Sequence, residues 1–227
     1  MKKTIVIWLL LMVLSPAAHA IIPGIPGLQD PIKMELEIKF TEDRDWKRPG
    51  SVEVSTVSQY FIKPIFEVTE RLDVFLKFGV ADIDILIANG GIDSSYGIGM
   101  RYNMPLDGFL PVGEALEARV SLEYTSLSSD VFPMRGHAGG DIKIAGWELS
   151  FSLGMDMGMF IPYAGIRYSD MTLSWTEFGT TPIKWDVANP FGVILGANIP
   201  RGDLADINIE LGLLDGTSLK METGFVF

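Results

Sequence analysis

The ionisable residues of this chain recur at every second position, a spacing that suits ion pairing or ion conduction. Lys33, Glu35, Glu37 and Lys39 alternate with Met34, Leu36, Ile38 and Phe40. Glu117, Arg119 and Glu123 alternate with Ala118, Val120, Leu122 and Tyr124. The same rule sets Lys77, Arg101, Glu148, Asp156, Glu210 and Lys220 between apolar neighbours and Glu222 between Met221 and Thr223. A period of two places such charges on one face of a strand and the apolar residues on the other. Both signs are interspersed on the charged face. In a narrow enclosed space they should pair, because an unpaired buried charge is costly. In an open channel the surplus of acids over bases would favour cations.

Bond-breaking chemistry finds few candidates. After residue 20 the sequence has one histidine, His137, in a glycine-rich stretch, with Ser128, Ser129 and Asp130 nearby. A hydrolytic or acyl-transfer site needs a nucleophile, a base and an orienting group in register, and no such motif is present. Asp82, Asp84 and Asp93 could offer carboxylates to Ca²⁺, but they lack the spacing of a calcium loop, so no metal is expected. Gly97-x-Gly99 lacks the rest of a dinucleotide fingerprint. Arg201-Gly202-Asp203 reads as turn chemistry. No cofactor and no enzymatic activity are expected.

The elements that carry the charges are strands. Residues 1–20 resemble a secretory signal: Lys2 and Lys3, an apolar run from Ile5 to Leu14, then Ala18-His19-Ala20. Residues 21–31 hold three prolines and two glycines and read as a tail. The rest, 32–227, reads as one domain. Removing residues 1–20 takes away two lysines, leaving 16 basic against 29 acidic residues, a balance of −13. That acidity excludes a nucleic-acid partner. There is no cysteine, hence no disulfide framework. No later run reaches the roughly 18 apolar residues of a membrane helix. High hydropathy without such a run fits apolar residues spread singly over alternating strand positions.

The alternation predicts an all-β, antiparallel, up-and-down transmembrane barrel of about ten strands, with eight as the alternative. The last strand is the clearest. Leu219, Met221, Thr223, Phe225 and Phe227 share one face, while Lys220, Glu222 and Gly224 share the other. This closing strand resembles that of Gram-negative outer-membrane β-barrels, which typically end on Phe. The resemblance implies an outer-membrane location after export, and recognition of the Phe225 and Phe227 strand by the barrel-assembly machinery. It implies membrane lipid and lipopolysaccharide as surroundings, with Arg44, Lys47, Arg48, Arg135 and Lys184 available to lipid phosphates. Oligomeric state is not legible.

The strand map predicts an outer aromatic girdle of Phe40, Tyr96, Tyr124, Trp147, Trp175 and Trp185. An inner girdle of Phe160, Tyr163, Phe225 and Phe227 is predicted below it. Bulges are expected near Ala81–Asp82 and at Asp170, where the apolar phase shifts, and Pro64 is expected to end its strand. The functional expectation is a structural or surface-interaction protein with a charge-filled lumen. A narrow, weakly cation-selective pore is the alternative.

Overall fold

Twelve antiparallel strands account for nearly all of the chain that the computed structural model describes, namely residues 33–44, 46–47, 54–85, 91–106, 116–131, 140–177, 181–200 and 205–226. In chain order they are β1 (Lys33–Arg44), β2 (Trp46–Lys47), β3 (Val54–Thr69), β4 (Leu72–Ile85), β5 (Ile92–Pro105) and β6 (Leu116–Val131). Then come β7 (Gly140–Met155), β8 (Ile161–Glu177), β9 (Ile183–Val187), β10 (Phe191–Pro200), β11 (Ala205–Leu213) and β12 (Thr217–Val226). Ten of them close a barrel. Neighbours in sequence pair from β3 round to β8, β10 pairs with β8, and β12 pairs with β1. The short β2 and β9 stand outside this count and pair with each other, while β9 also pairs with β8. Closure leaves the barrel wall without an unpaired edge, the condition for strands to cross a bilayer.

The outward face tells where lipid would lie. On β7, Trp147, Leu149, Phe151 and Leu153 are 39–49% exposed. The eight rises from Trp147 to Met155 cover about 27 Å along the strand, or about 21 Å along the normal at a tilt of about 40°. That matches an apolar band of about 25 Å. Aromatic rings crown the band. Phe40 packs on Tyr60, Tyr124 on Trp147 and Tyr168 on Phe191, with centroids 6.2, 5.0 and 5.2 Å apart. Tyr96, beside Phe78 on the neighbouring strand, continues the belt.

Beyond this belt the strands β3 to β8 continue, and their faces exchange character. Ala81, Ile83, Leu127, Ile142, Ile144, Met171 and Leu173 are buried inside, while Asp82, Asp84, Ser128, Lys143, Asp170 and Thr172 take the outward positions. The predicted bulges at Ala81–Asp82 and Asp170 are absent. The β4–β5 register runs unbroken from Leu72–Tyr102 to Asp82–Ile92, and β7–β8 runs unbroken through Gly146–Met171. The apolar phase shifts because the solvent on the outside changes, not because the backbone slips. Pro64 does not end its strand either. β3 runs through it to Thr69, with Pro64 opposite Met34 of β1. On the β4 side the pairs step from Ile62–Phe78 to Ile65–Phe75 in the same register, a local gap fitting a residue without an N–H.

The two-tier reading makes a testable contrast. Phe151→Arg, mid-band on the lipid face, should destabilise the folded barrel by about 2–4 kcal/mol. Thr172→Arg, outward but beyond the belt, should change it by no more than about 0.5 kcal/mol. Denaturant titrations in lipid vesicles read both, and equal losses would mean that the band extends past Tyr168 and Trp147.

Candidate functional site: a two-layer lumen

The inward face of the ten-strand barrel is charged at mid-height. Lys63 is the hub, with Nζ at 2.9 Å from Glu35, 3.4 Å from Glu37 and 2.5 Å from Glu222. Lys77 bridges Glu37 at 2.8 Å and Glu123 at 2.6 Å. Lys220 faces Glu210 and Glu222 at 3.5 and 3.7 Å. Arg101 holds Glu35 at 3.2 Å and Asp73 at 3.1 Å. Lys33, at the rim where β1 begins and β12 ends, reaches Asp206 at 3.6 Å. We call this end the terminal rim. Toward the opposite, far rim, Lys39 and Arg167 share Glu148 at 3.3 and 3.8 Å. Rings line the cations as well. Lys63 Nζ lies 4.8 Å from the centroid of Phe75, and Lys77 Nζ lies 5.4 Å from that of Phe61, distances at which the ring face attracts the ammonium.

A latch closes the charged layer on its far side. The β11–β12 turn turns Asp215 into the barrel, where it accepts from Arg167 Nε at 3.0 Å and Nη2 at 2.7 Å, from Arg44 at 3.2 Å and from Ser169 at 3.3 Å. The bidentate fork is the stronger geometry for a guanidinium on a carboxylate. Gly212 and Gly192 leave the room, since a Cβ on the first would meet Arg167 and on the second Asp215. Gly216, at φ 116°, takes a turn conformation that other residues rarely adopt.

Above the latch the lumen is apolar. Trp46, Val57, Phe61, Leu127, Ile144, Trp185 and Val187 join the buried residues of the upper strands in one cluster, and Trp175 packs against it. A cavity of about 30 Å³ separates the layers, lined by Lys39, Arg44, Glu123 and Thr125 on one side and Trp46, Leu127 and Met171 on the other. A larger polar cavity of about 180 Å³ opens at the terminal rim.

Of the residues expected in the lumen, Lys33, Glu35, Glu37, Lys39, Lys77, Arg101, Glu123, Glu148, Glu210, Lys220 and Glu222 lie in these ion pairs. Glu117 and Arg119 line a cavity near the terminal rim, but among the described residues Arg119 bridges no carboxylate and donates instead to Asn103 at 2.9 Å. Asp156 is not in the lumen. It lies exposed in the turn after β7 and accepts from the Gly158 N–H at 2.7 Å.

Phe40, Tyr96, Tyr124 and Trp147 stand in the outer belt, whereas Trp185 is 2% exposed in the apolar cluster and Trp175 packs beside it. Beyond the belt the inside is the apolar side, so rings there turn inward. Tyr163, expected in the inner girdle, also points in, and its single hydroxyl hydrogen is shared between Asn208 Oδ1 at 2.9 Å and Glu210 Oε2 at 3.1 Å. Arg44, expected at lipid phosphates, is held inside by Asp215. Asp82 and Asp84 face outward, and Asp93, opposite Ala81, faces inward, so the three do not converge. Residues 1–31, Arg48, Arg135, His137, Arg201–Asp203 and Phe227 lie outside the described residues, as does the side chain of Lys47.

The sequence reading missed Lys63, Arg167 and Asp215. Lys63 precedes Pro64 and was hidden by ending the strand there, although it shares the parity of Phe61 and Ile65. Arg167 stands between Ile166 and Tyr168 and follows the same alternation rule. Asp215 read only as a turn residue, and nothing local distinguishes a turn carboxylate in solvent from one folded over a lumen.

No family model and no curated protein matches the chain. Solved structures resemble it at low identity. The translocator domain of the autotransporter NalP from Neisseria meningitidis is 12% identical, covering 100% of this chain and 98% of that one, with a TM-score of 0.44. The β domain of the Bordetella autotransporter BrkA is 14% identical over 88% of this chain and 100% of that one, with a TM-score of 0.44. An outer membrane channel from Pseudomonas putida F1 is 12% identical over 90% of this chain and 100% of that one, with a TM-score of 0.37.

Proposed function

We propose that this protein is an outer-membrane β-barrel with a closed lumen, serving a structural or surface-interaction role rather than conducting solutes. The observation that carries the reading is the stacking of two different seals in one lumen. The lower seal is a set of buried ion pairs centred on Lys63 and Lys77. The upper seal is the apolar cluster around Trp46 and Trp185. A ten-strand barrel is far narrower than the 16–18 strands that leave a water-filled channel, so modest side chains suffice to fill it. The termini face the periplasm in this reading, and the upper tier stands outside the cell. The outer face of that tier, with Asp82, Asp84, Ser128 and Asp170, is polar enough for water or partner contact. Among the described residues, Lys143 on β7 and Lys184 on β9 are exposed there and are cations available to lipopolysaccharide phosphates. The closing strand with Phe225 outward supplies the assembly signal.

The test is single-channel recording of the refolded protein in planar bilayers. The expected result is low or sporadic conductance. Ohmic, long-lived openings of large conductance would overturn the closed-lumen reading and favour the alternative, a narrow cation-selective pore lined by the same acids.

A further inference from the structure

Arg119 is the exception among the inward cations of the described residues. Lys33, Lys63, Lys77, Arg101, Arg167 and Lys220 each face a carboxylate within 4.0 Å. Arg119 makes one hydrogen bond, from Nε to Asn103 Oδ1 at 2.9 Å, and among the described residues it makes no ion pair. Its guanidinium stands at the wall of the terminal-rim cavity of about 180 Å³, which Asn103 and Asn198 also line. Arg119 and Asn198 further border a small recess of about 20 Å³ beside Glu117 and Tyr163.

The acids deepest in this cavity are already taken. Arg101 holds Glu35 and Asp73, Lys33 holds Asp206, and Lys63 holds Glu222. What remains, among the described residues, is one guanidinium whose Nη groups make no hydrogen bond, two amides, and the exposed carboxylates of Glu67 and Glu70 at the β3–β4 turn. Asn103 gives its oxygen to Arg119 and so keeps its amide hydrogens to donate. Glu222 and Glu117 act on Arg119 only from beyond ion-pair distance, and a guanidinium so placed in a half-enclosed mouth favours an anion that can take both Nη groups, as a carboxylate does in a planar fork. Glu67 and Glu70 work against any ligand of high negative charge and attract an ammonium.

We propose that this vestibule binds small zwitterionic carboxylates, with amino acids as the fitting class. The carboxylate sits on Arg119, supported by the amides of Asn103 and Asn198, and the ammonium turns toward Glu67 and Glu70. The Lys63 cluster closes the floor, so the ligand enters and leaves by the terminal rim. The site is a blind pocket and does not depend on whether the barrel conducts.

Saturation-transfer NMR and calorimetry on the full barrel refolded in micelles test this, with glycine, acetate, methylamine and inorganic phosphate as probes. Glycine should bind saturably and more tightly than acetate, methylamine or phosphate. Arg119→Met should weaken glycine at least tenfold, and Asn198→Leu should weaken it several-fold. Lys184→Met, at the far rim, should leave it unchanged. Removing an unpaired cation should not impair folding, and heat-modifiable migration checks that it does not. No glycine binding by the wild type, equal binding by Arg119→Met, or tighter binding of phosphate would each overturn the proposal. So would binding that appears only in Glu117→Gln, since Arg119 would then be held by Glu117.

Discussion

Replacing Lys63 with methionine should destabilise the folded barrel by about 3–5 kcal/mol, the range for removing one partner of a buried ion pair. The Lys63 side chain is 3% exposed and neutralises parts of Glu35, Glu37 and Glu222 at once. Methionine keeps most of the stem, so the loss is one of charge and hydrogen bonds more than of packing. Each acid retains a second cation: Arg101 for Glu35, Lys77 for Glu37 and Lys220 for Glu222. The cluster nonetheless carries one uncompensated negative charge where water has little access. Adding Glu222→Gln removes that excess and should recover more than half of the loss. Denaturant titration followed by heat-modifiable migration measures both variants. Because the group is buried, salt should alter the difference little. A loss below about 1 kcal/mol, as for an exposed pair, would show that the lumen is hydrated well enough to screen Lys63.

How much of this was legible in the sequence depends on which side of the aromatic belt a residue lies. Within the lipid band one rule governs every position, apolar out and polar in. The alternation read for β1 and β12 is therefore the one their strands show, and the barrel has the ten strands expected. Past the belt, water replaces lipid outside and the rule inverts. Met171, Leu173 and Trp175 keep the parity of Arg167 and Ser169, yet a reader holding the outside to be apolar must insert a slip at Asp170. The correcting signal was present: Asp170 and Thr172, or Asp141 and Lys143, occupy the positions that lipid would forbid. The five-residue β9 and the two-residue β2 have no periodicity long enough to stand alone in the sequence. The partners of Arg44 and Arg167 were beyond reach for another reason. Asp215 lies 171 and 48 residues away from them, and only the closed topology brings the three together.

Truncating Trp185 to alanine should cost about 3–5 kcal/mol, the range for deleting a buried tryptophan, and that cost should fall on the upper tier alone. Trp185 lies opposite Leu173 of β8, and Trp46 of β2 lies opposite Val187 two residues further along β9. The indole of Trp185, with that of Trp46, thus ties β9 and β2 to the extended strands. The ion pairs below are made by other residues, and that layer should remain folded. The expected outcome is faster proteolysis within the β9 region, with the heat-modifiable barrel intact. Conductance then separates the two seals. In Trp185→Ala the paired charges still fill the lumen at mid-height, so the bilayer current should stay near that of the wild type. In Lys77→Met the apolar tier still closes the far end, although Glu37 and Glu123 lose their shared cation. Only the double variant removes both barriers. It should open to a cation-preferring current, because the unneutralised acids attract cations and repel anions. Long-lived openings in Trp185→Ala alone would assign the whole seal to the apolar tier. A closed double variant would mean that the remaining pairs around Lys63, Lys220 and Arg101 are enough to fill the lumen.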